Sequence, residues 1–395
     1  MAELTPEMMT LCGERAEALK AVVRQTNPKR IPIMSNTRLW PIFDSGYKLT
    51  DAMANMDVIF ESACRMQEKY KFDCYNSLGL RFPFKVYEAL GSSPYVINTK
   101  NDTIQGLNIP AMRQDEYEVL IKDGSKKFYF EKVFPRRFQL RDTENAISAL
   151  ARGVEAQIEV NRFDQKLIRH MTEHYGVPVA RAGYAIKNPV EYLWETFRGM
   201  IGFSMDMRQV DEGLIQRALE VIDDGRCDNI CRKIGTRVDK DTEVFDFNAV
   251  MHTHTWLSVT QFGKFYWPRL KKLIDATVSA NKIGYIFAQG SMAHLISYFQ
   301  EIPKGHFVLM VEKDDIAELR RKLPNLSFIG GFPSQLLGYG SEENCIDYAK
   351  KMIDEIGYDG RLIVSTDKSL AFRNDAKGSN MEAVNNFILE YGVYK

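Results

Sequence analysis

After residue 176 the chain settles into a rhythm. Short apolar or β-branched runs fall at 244–251, 284–287, 306–311, 326–329 and 361–365, and each is followed by a helix-sized amphipathic segment. Runs this short and this apolar predict strands buried on both faces, as in a parallel sheet, and their alternation with helices predicts an α/β fold. Upstream the rhythm is looser. Residues 1–25 and 50–70 show helical spacing, while 30–34 and 73–80 read as short strands. Alternation in 117–121 and 127–130 predicts short extended pieces, and two long helical stretches are expected between 143 and 175. The sequence shows no solenoid-length repeat and no low-complexity tract, so one compact body over 1–395 is expected. Within it, 1–140 reads as cap-like additions and 176–395 as the regular β/α part.

Composition narrows the class. Lys+Arg and Asp+Glu balance at 52 each, which removes the electrostatic footprint of a nucleic-acid binder and leaves no polybasic membrane patch. The first 20 residues carry acidic groups and no long apolar run, so neither a signal peptide nor a membrane span is expected, and a cytoplasmic location is the default. Six scattered cysteines (Cys12, Cys64, Cys74, Cys227, Cys231, Cys345) do not make a disulfide framework. The Cys227/Cys231 pair lacks a second pair and does not read as a zinc knuckle.

In a (β/α)8 barrel, catalytic groups sit at the C-terminal ends of the strands, which nominates 251–256, 289–291, 312–315, 330–333 and 365–368. The richest constellation is Met251-His252-Thr253-His254-Thr255-Trp256. On a continuing strand His252 and His254 would project to the same face, either as metal ligands or proton-handling groups, or as hydrogen-bonded wall residues. Gln289 either orients a polar substrate or satisfies backbone groups. Glu312 and Asp315 are candidates for general acid or base, with solvated loop carboxylates as the alternative. Asp367 either reaches the pocket or serves as a cap or turn residue. The aromatics Phe262, Phe265, Tyr266 and Trp267 read as packing, and no phosphate-binding glycine motif accompanies Gly330 and Gly331.

Several segments carry a resemblance. Residues 261–272, QFGKFYWPRLKK, are similar to the QFxxFYWPxLKK segment of uroporphyrinogen decarboxylase-like proteins linked to methyl transfer. Residues 329–343, IGGFPSQLLGYGSEE, resemble the superfamily's GNxPxxLL…GTPEEV segment, and 380–392 its closing ENxxAM…EYG stretch. The resemblance covers nearly the whole chain and implies a (β/α)8 TIM barrel. The decarboxylase's own MRQAGRY-like and FSDIL-like segments are not matched. Their places read MSNTRLW at 34–40 and YNSLGLRF at 75–82, so the carboxylate is missing and uroporphyrinogen decarboxylation is not expected. Asn36, Tyr75 and Arg81 in these segments, with Arg38, remain candidates for substrate contacts.

The methyltransferase branch of the superfamily uses zinc to activate the donor's heteroatom. Aryl-ether demethylating members carry Phe-Ala-Glu-Gly and, on the next strand, Trp-His-Phe-Asp. This chain has Gln289 where the glutamate stands and Met310 where the histidine stands, and an amide and a thioether are poor zinc ligands. Asp275 lies near the place of a further acidic ligand. The resemblance therefore implies methyl transfer from a small methylated or methoxylated compound to a corrinoid (cobalamin), with zinc disfavoured. No DxHxxG cobalamin motif occurs, so the corrinoid arrives free or on a corrinoid protein partner. Without zinc, His252, His254 or Glu312 is the expected acid. Gln289, Met310, Arg81, Asn36, Tyr75 and Asp367 are the expected substrate contacts. Two other readings stay open: a ligand-binding accessory barrel without chemistry, and a lyase or decarboxylase of a small carboxylic acid held by Arg81 or Arg38. Relatives make a homodimer plausible.

Overall fold

A computed structural model describes residues 6–76, 84–140, 143–180, 184–238 and 240–394. The fold is α/β. Six strands, β3 (Tyr184–Ile186), β4 (Phe247–Met251), β5 (Gly284–Ala288), β6 (Phe307–Val311), β7 (Ser327–Phe332) and β8 (Leu362–Thr366), lie side by side in chain order, every neighbouring pair parallel. A separate antiparallel pair, β1 (Tyr95–Asn98) and β2 (Thr103–Gly106), precedes them. The five apolar runs after residue 176 coincide with β4 to β8. Every residue of β5, β6 and β8 is buried, as expected for strands covered on both faces.

Parallel pairing continues past the named strands. Isolated bridges join Ile33 to Val364, Met34 to Cys74, Tyr75 to Val179 and Val179 to Glu243. The amide of Met34 donates to Val364 O at 2.9 Å, that of Tyr75 to Pro178 O at 2.9 Å, and that of Val244 to Val179 O at 3.0 Å. The expected strands at 30–34 and 73–80 are thus present as bridges at 33–34 and 74–75, and residues 77–80 lie outside the described residues.

Alternation along the strands separates two apolar clusters. Tyr285, Phe287, Val308, Met310, Ile329 and Ile363 join Met34, Cys74, Ala180 and Phe245 in one, whereas Ile286, Leu309, Phe328 and Leu362 belong to the other. The first helix, Pro6–Arg24, contributes Ala16, Leu19, Val22 and Val23 to the former, and Val22 O accepts from Ser327 Oγ at 2.6 Å. That places the helix at the N-terminal end of β7 and leaves the C-terminal ends of the strands for chemistry.

Three expectations for the first half need correction. Residues 117–121 and 127–130 are helical, in Tyr117–Asp123, Ser125–Phe128 and Tyr129–Val133. Their buried positions, Tyr117 with Leu120 and Ser125 with Phe128, follow helical spacing that the aromatic and β-branched content disguises. The two helices expected between 143 and 175 are one, Thr143–Tyr175. Gly153 lies within it, where the helix closes on Leu90: a Cβ there would lie 2.7 Å from Leu90 Cδ2. The helix expected over 50–70 is split into Leu49–Ala54 and Met56–Tyr70 by Asn55, whose side chain caps the second by accepting from Asp57 N at 2.9 Å.

Candidate active site

The period-two alternation of the strands positions the site. Asn248 and Val250 on β4, and His252 just beyond it, line one cavity at every second position. Gln289 stands two residues after Phe287, and Glu312 two after Met310, so the rows of β5 and β6 that pack with Met34 and Cys74 each end in a polar group at the strand's C-terminal end. His252, Gln289 and Glu312 meet around a cavity of about 480 Å³, together with Trp194, Trp256 and His294. A second cavity of about 650 Å³ shares Trp194 and His252 with the first and extends past Tyr192, Lys187, Arg137 and Arg38.

Behind His252 lies a carboxylate that pattern reading passed over. Glu191, on the short helix Pro189–Tyr192, is completely buried. Asn188 starts that helix by accepting from Val190 N at 3.1 Å, while its amide donates to Tyr266 O at 3.1 Å. Glu191 Oε1 accepts from the amides of His252 and Thr253 at 2.9 and 3.0 Å and from Thr253 Oγ1 at 2.9 Å. Its Oε2 lies 3.5 Å from His252 Nδ1. Burial pushes the Glu191 pKa up, but the His252 ring and the amides of Thr253 and His252 outweigh it, and the net direction is down. Glu191 therefore stays ionised at neutral pH. Burial first, and then Glu191 itself, push the Tyr266 hydroxyl far up. The His252 ring is also stacked on Trp194, with centroids 5.6 Å apart and 20° between planes. Among the described residues neither Glu191 Oε2 nor His252 Nδ1 makes a hydrogen bond, so the two face each other as an ion-pair contact only, and Nε2 is the ring nitrogen that remains for the cavity His252 lines.

His254 does not share this face. β4 stops at Met251 and the chain turns into a 3-10 helix, Thr253–Trp256, so strand alternation no longer applies. His254 is completely buried, and neither ring nitrogen has a hydrogen-bond partner among the described residues. Burial is the main cause of a pKa lowered to about 4, with His294 and His252 adding to it against Glu191 and Asp314. The imidazole is neutral at physiological pH and cannot serve there as an acid.

The remaining candidates are dispersed. Glu312 Oε2 accepts from Gly290 N at 2.7 Å, which fixes the carboxylate over the turn after β5. Gln289 donates its backbone amide to Met251 O at 3.0 Å. Met310 is completely buried among apolar groups, its sulfur facing the Tyr285 hydroxyl at 3.6 Å. Asn36 is buried beside β8, accepting from Ser369 Oγ at 2.8 Å. Tyr75 packs in the cluster opposite Met34 and Cys74. Asp367 Oδ1 accepts from Ser334 N at 3.0 Å, at the start of the helix Ser334–Tyr339, and borders a separate cavity of about 390 Å³. Asp315 caps the helix Ile316–Lys322. Arg81 lies outside the described residues. Phe262, Phe265, Tyr266 and Trp267 are all buried in the core. Cys227 and Cys231 sit on one helix with their thiols on the carbonyls of Arg269 and Lys272, and Asp275 pairs with Lys271.

The donor set bears on a metal. Among the described residues no three His, Cys, Asp or Glu side chains come together as a group able to hold one. At the place where the resemblance puts zinc, one side chain is an amide and the other a thioether enclosed in the core. These residues do not fit the ion. Among the described residues, no helix is long and apolar enough to cross a membrane.

No family model matches the sequence, and no curated protein matches it. Among solved structures, the chain is similar to a methyltransferase from Methanosarcina mazei, with a TM-score of 0.61 and 16% identity over 95% of this chain and 98% of that one. At that identity the likeness concerns the fold.

Proposed function

We propose that the protein is a methyltransferase that moves a methyl group from a small methylated or methoxylated compound to a corrinoid, free or carried by a partner protein. The bridges that run from Val364 on β8 through 33–34, 74–75 and 179 to Glu243, ahead of β4, support a closed (β/α)8 barrel, whose C-terminal mouth is the position of catalytic sites in that fold. One observation carries the functional reading: the Glu191–His252 pair at the end of β4, facing a cavity also lined by Gln289 and Glu312. The fold likeness to a methyltransferase agrees with it.

For an ether donor, the acceptor's electron pair forms the new bond to the methyl carbon as the C–O bond breaks. The leaving oxygen then needs a proton, because an alkoxide or phenoxide departs poorly. His252 Nε2 supplies it, with Glu191 holding the imidazolium through Nδ1 in the way a buried carboxylate orients a catalytic histidine. Gln289 and Glu312 orient the donor. No step runs through zinc.

The experiment is transfer from a panel of methoxy compounds to reduced cobalamin, followed by the absorbance change on methylation. His252→Ala is expected to lower the rate by about a hundred-fold or more, the scale of general-acid catalysis, and Glu191→Gln to lower kcat with KM nearly unchanged. A His252→Ala protein that turns over at the wild-type rate refutes the assignment.

A further inference from the structure

The second cavity carries a charge imbalance that proton donation by His252 does not use. Among the described residues, Arg137 and Lys187 line it with one carboxylate, Glu195, and Arg38 borders the same cavity. They come from separate parts of the chain: Arg38 precedes the helix Trp40–Asp44, Arg137 ends the helix Phe134–Arg137, and Lys187 follows β3. Glu195 is already engaged, its carboxylate paired with Lys187 and its backbone carbonyl accepting from Arg137 at 3.0 Å. Among the described residues, that one carboxylate offsets one of the two charges on Arg137 and Lys187. Burial lowers the Lys187 pKa to about 8, with Glu191 opposing and Arg137 adding to the fall. Gathering cations in a cavity costs desolvation and mutual repulsion, and the arrangement becomes favourable once an anion enters.

Shape adds to charge. Tyr95, Tyr192 and Trp194 give the cavity flat walls, with Lys187 Nζ 5.4 Å from the Tyr192 ring centre. Flat walls beside guanidinium groups suit a planar carboxylate, which an arginine meets with two parallel hydrogen bonds. Because Trp194 and His252 border both cavities, one molecule can hold its carboxylate among the cations and present its other end to His252.

We propose that this cavity binds the carboxylate of a small organic anion through Arg137 and Lys187, with Arg38 beside them, and that the methyl donor is such an anion. The first half stands on the cavity alone; the second rests on the methyl-transfer reading above.

The test is titration with benzoate, and with benzamide as its neutral counterpart, followed by calorimetry and by tryptophan fluorescence. Benzoate is expected to bind at least about ten-fold more tightly than benzamide, and Lys187→Met and Arg137→Met each to weaken benzoate by about ten-fold or more without affecting benzamide. Lys187→Arg retains benzoate binding. Calorimetry near pH 8, in two buffers of different ionisation heat, is expected to show proton uptake on benzoate binding that disappears in Lys187→Arg. Circular dichroism and melting curves establish that each variant is folded. Equal binding of benzoate and benzamide, or benzoate binding unchanged in both methionine variants, overturns the site. Methyl transfer from anisole as fast as from 4-methoxybenzoate overturns the anionic donor while leaving methyl transfer intact. Benzoate binding with no transfer from either compound leaves the site standing and refutes the methyl-transfer reading.

Discussion

His254 gives the sharpest test of the electrostatics around the site. It is completely buried, without a partner on either ring nitrogen among the described residues, and its pKa falls from the ordinary 6.5 to about 4. In the unfolded chain the same ring titrates near its ordinary value. Above that value the ring is neutral in both states and contributes no pH dependence. As pH falls below it, the unfolded state takes up a proton that the folded state refuses, and stability is lost until pH passes the folded value. Linkage puts the loss at about 2 kcal/mol near pH 5 and about 3 kcal/mol at full extent. The assay is urea unfolding of wild type and His254→Leu between about pH 8 and pH 5. Leucine replaces the ring with a non-titrating group of similar size, so other titrating groups cancel in the difference. The variant is expected to gain about 2 kcal/mol on wild type over that interval, whatever its offset near pH 8. A difference that stays constant across the interval refutes the buried, unpaired environment assigned to His254.

Three further outcomes follow from the packing. Glu191→Ala is expected to cost about 3–5 kcal/mol, because it strands two amides and a hydroxyl in the interior; chemical denaturation measures it, and a loss under about 1 kcal/mol contradicts the assigned bonds. Asp206→Ala should cost a similar amount of about 3–5 kcal/mol, since Asp206 is completely buried, pairs with Arg198 and accepts from the Tyr117 hydroxyl at 2.7 Å. Gly338→Ala would place a Cβ 2.3 Å from the backbone oxygen of Asn374, and a loss of about 1–3 kcal/mol is expected, read as a lowered melting temperature.

The strands after residue 176 were legible because continuous apolar runs are what a doubly covered parallel strand requires, and β4 to β8 lie within a residue or a few of those runs. The first half was less legible. Residues 117–130 owe their helical state to packing, with Tyr117 anchored on Asp206, a contact 89 residues away that no local pattern contains. In the site, the rule that strand ends carry the polar groups located His252, Gln289 and Glu312 around one cavity. It missed Glu191, which sits in a short helix and reaches His252 across 61 residues. A Pro and an Asn before Glu191, able to start a helix, were its only local signal. The same-face expectation for His252 and His254 failed because alternation ends where β4 ends, at Met251.

The most direct measurement uses a methoxy donor with a trideuteromethyl group, incubated with the protein and reduced cobalamin, with the cobalamin product analysed by mass spectrometry. The account predicts labelled methylcobalamin with wild-type protein and little or none with His252→Ala. Absence of label from every donor in the panel, or equal labelling by the two proteins, contradicts a methyltransferase that uses His252 as its acid.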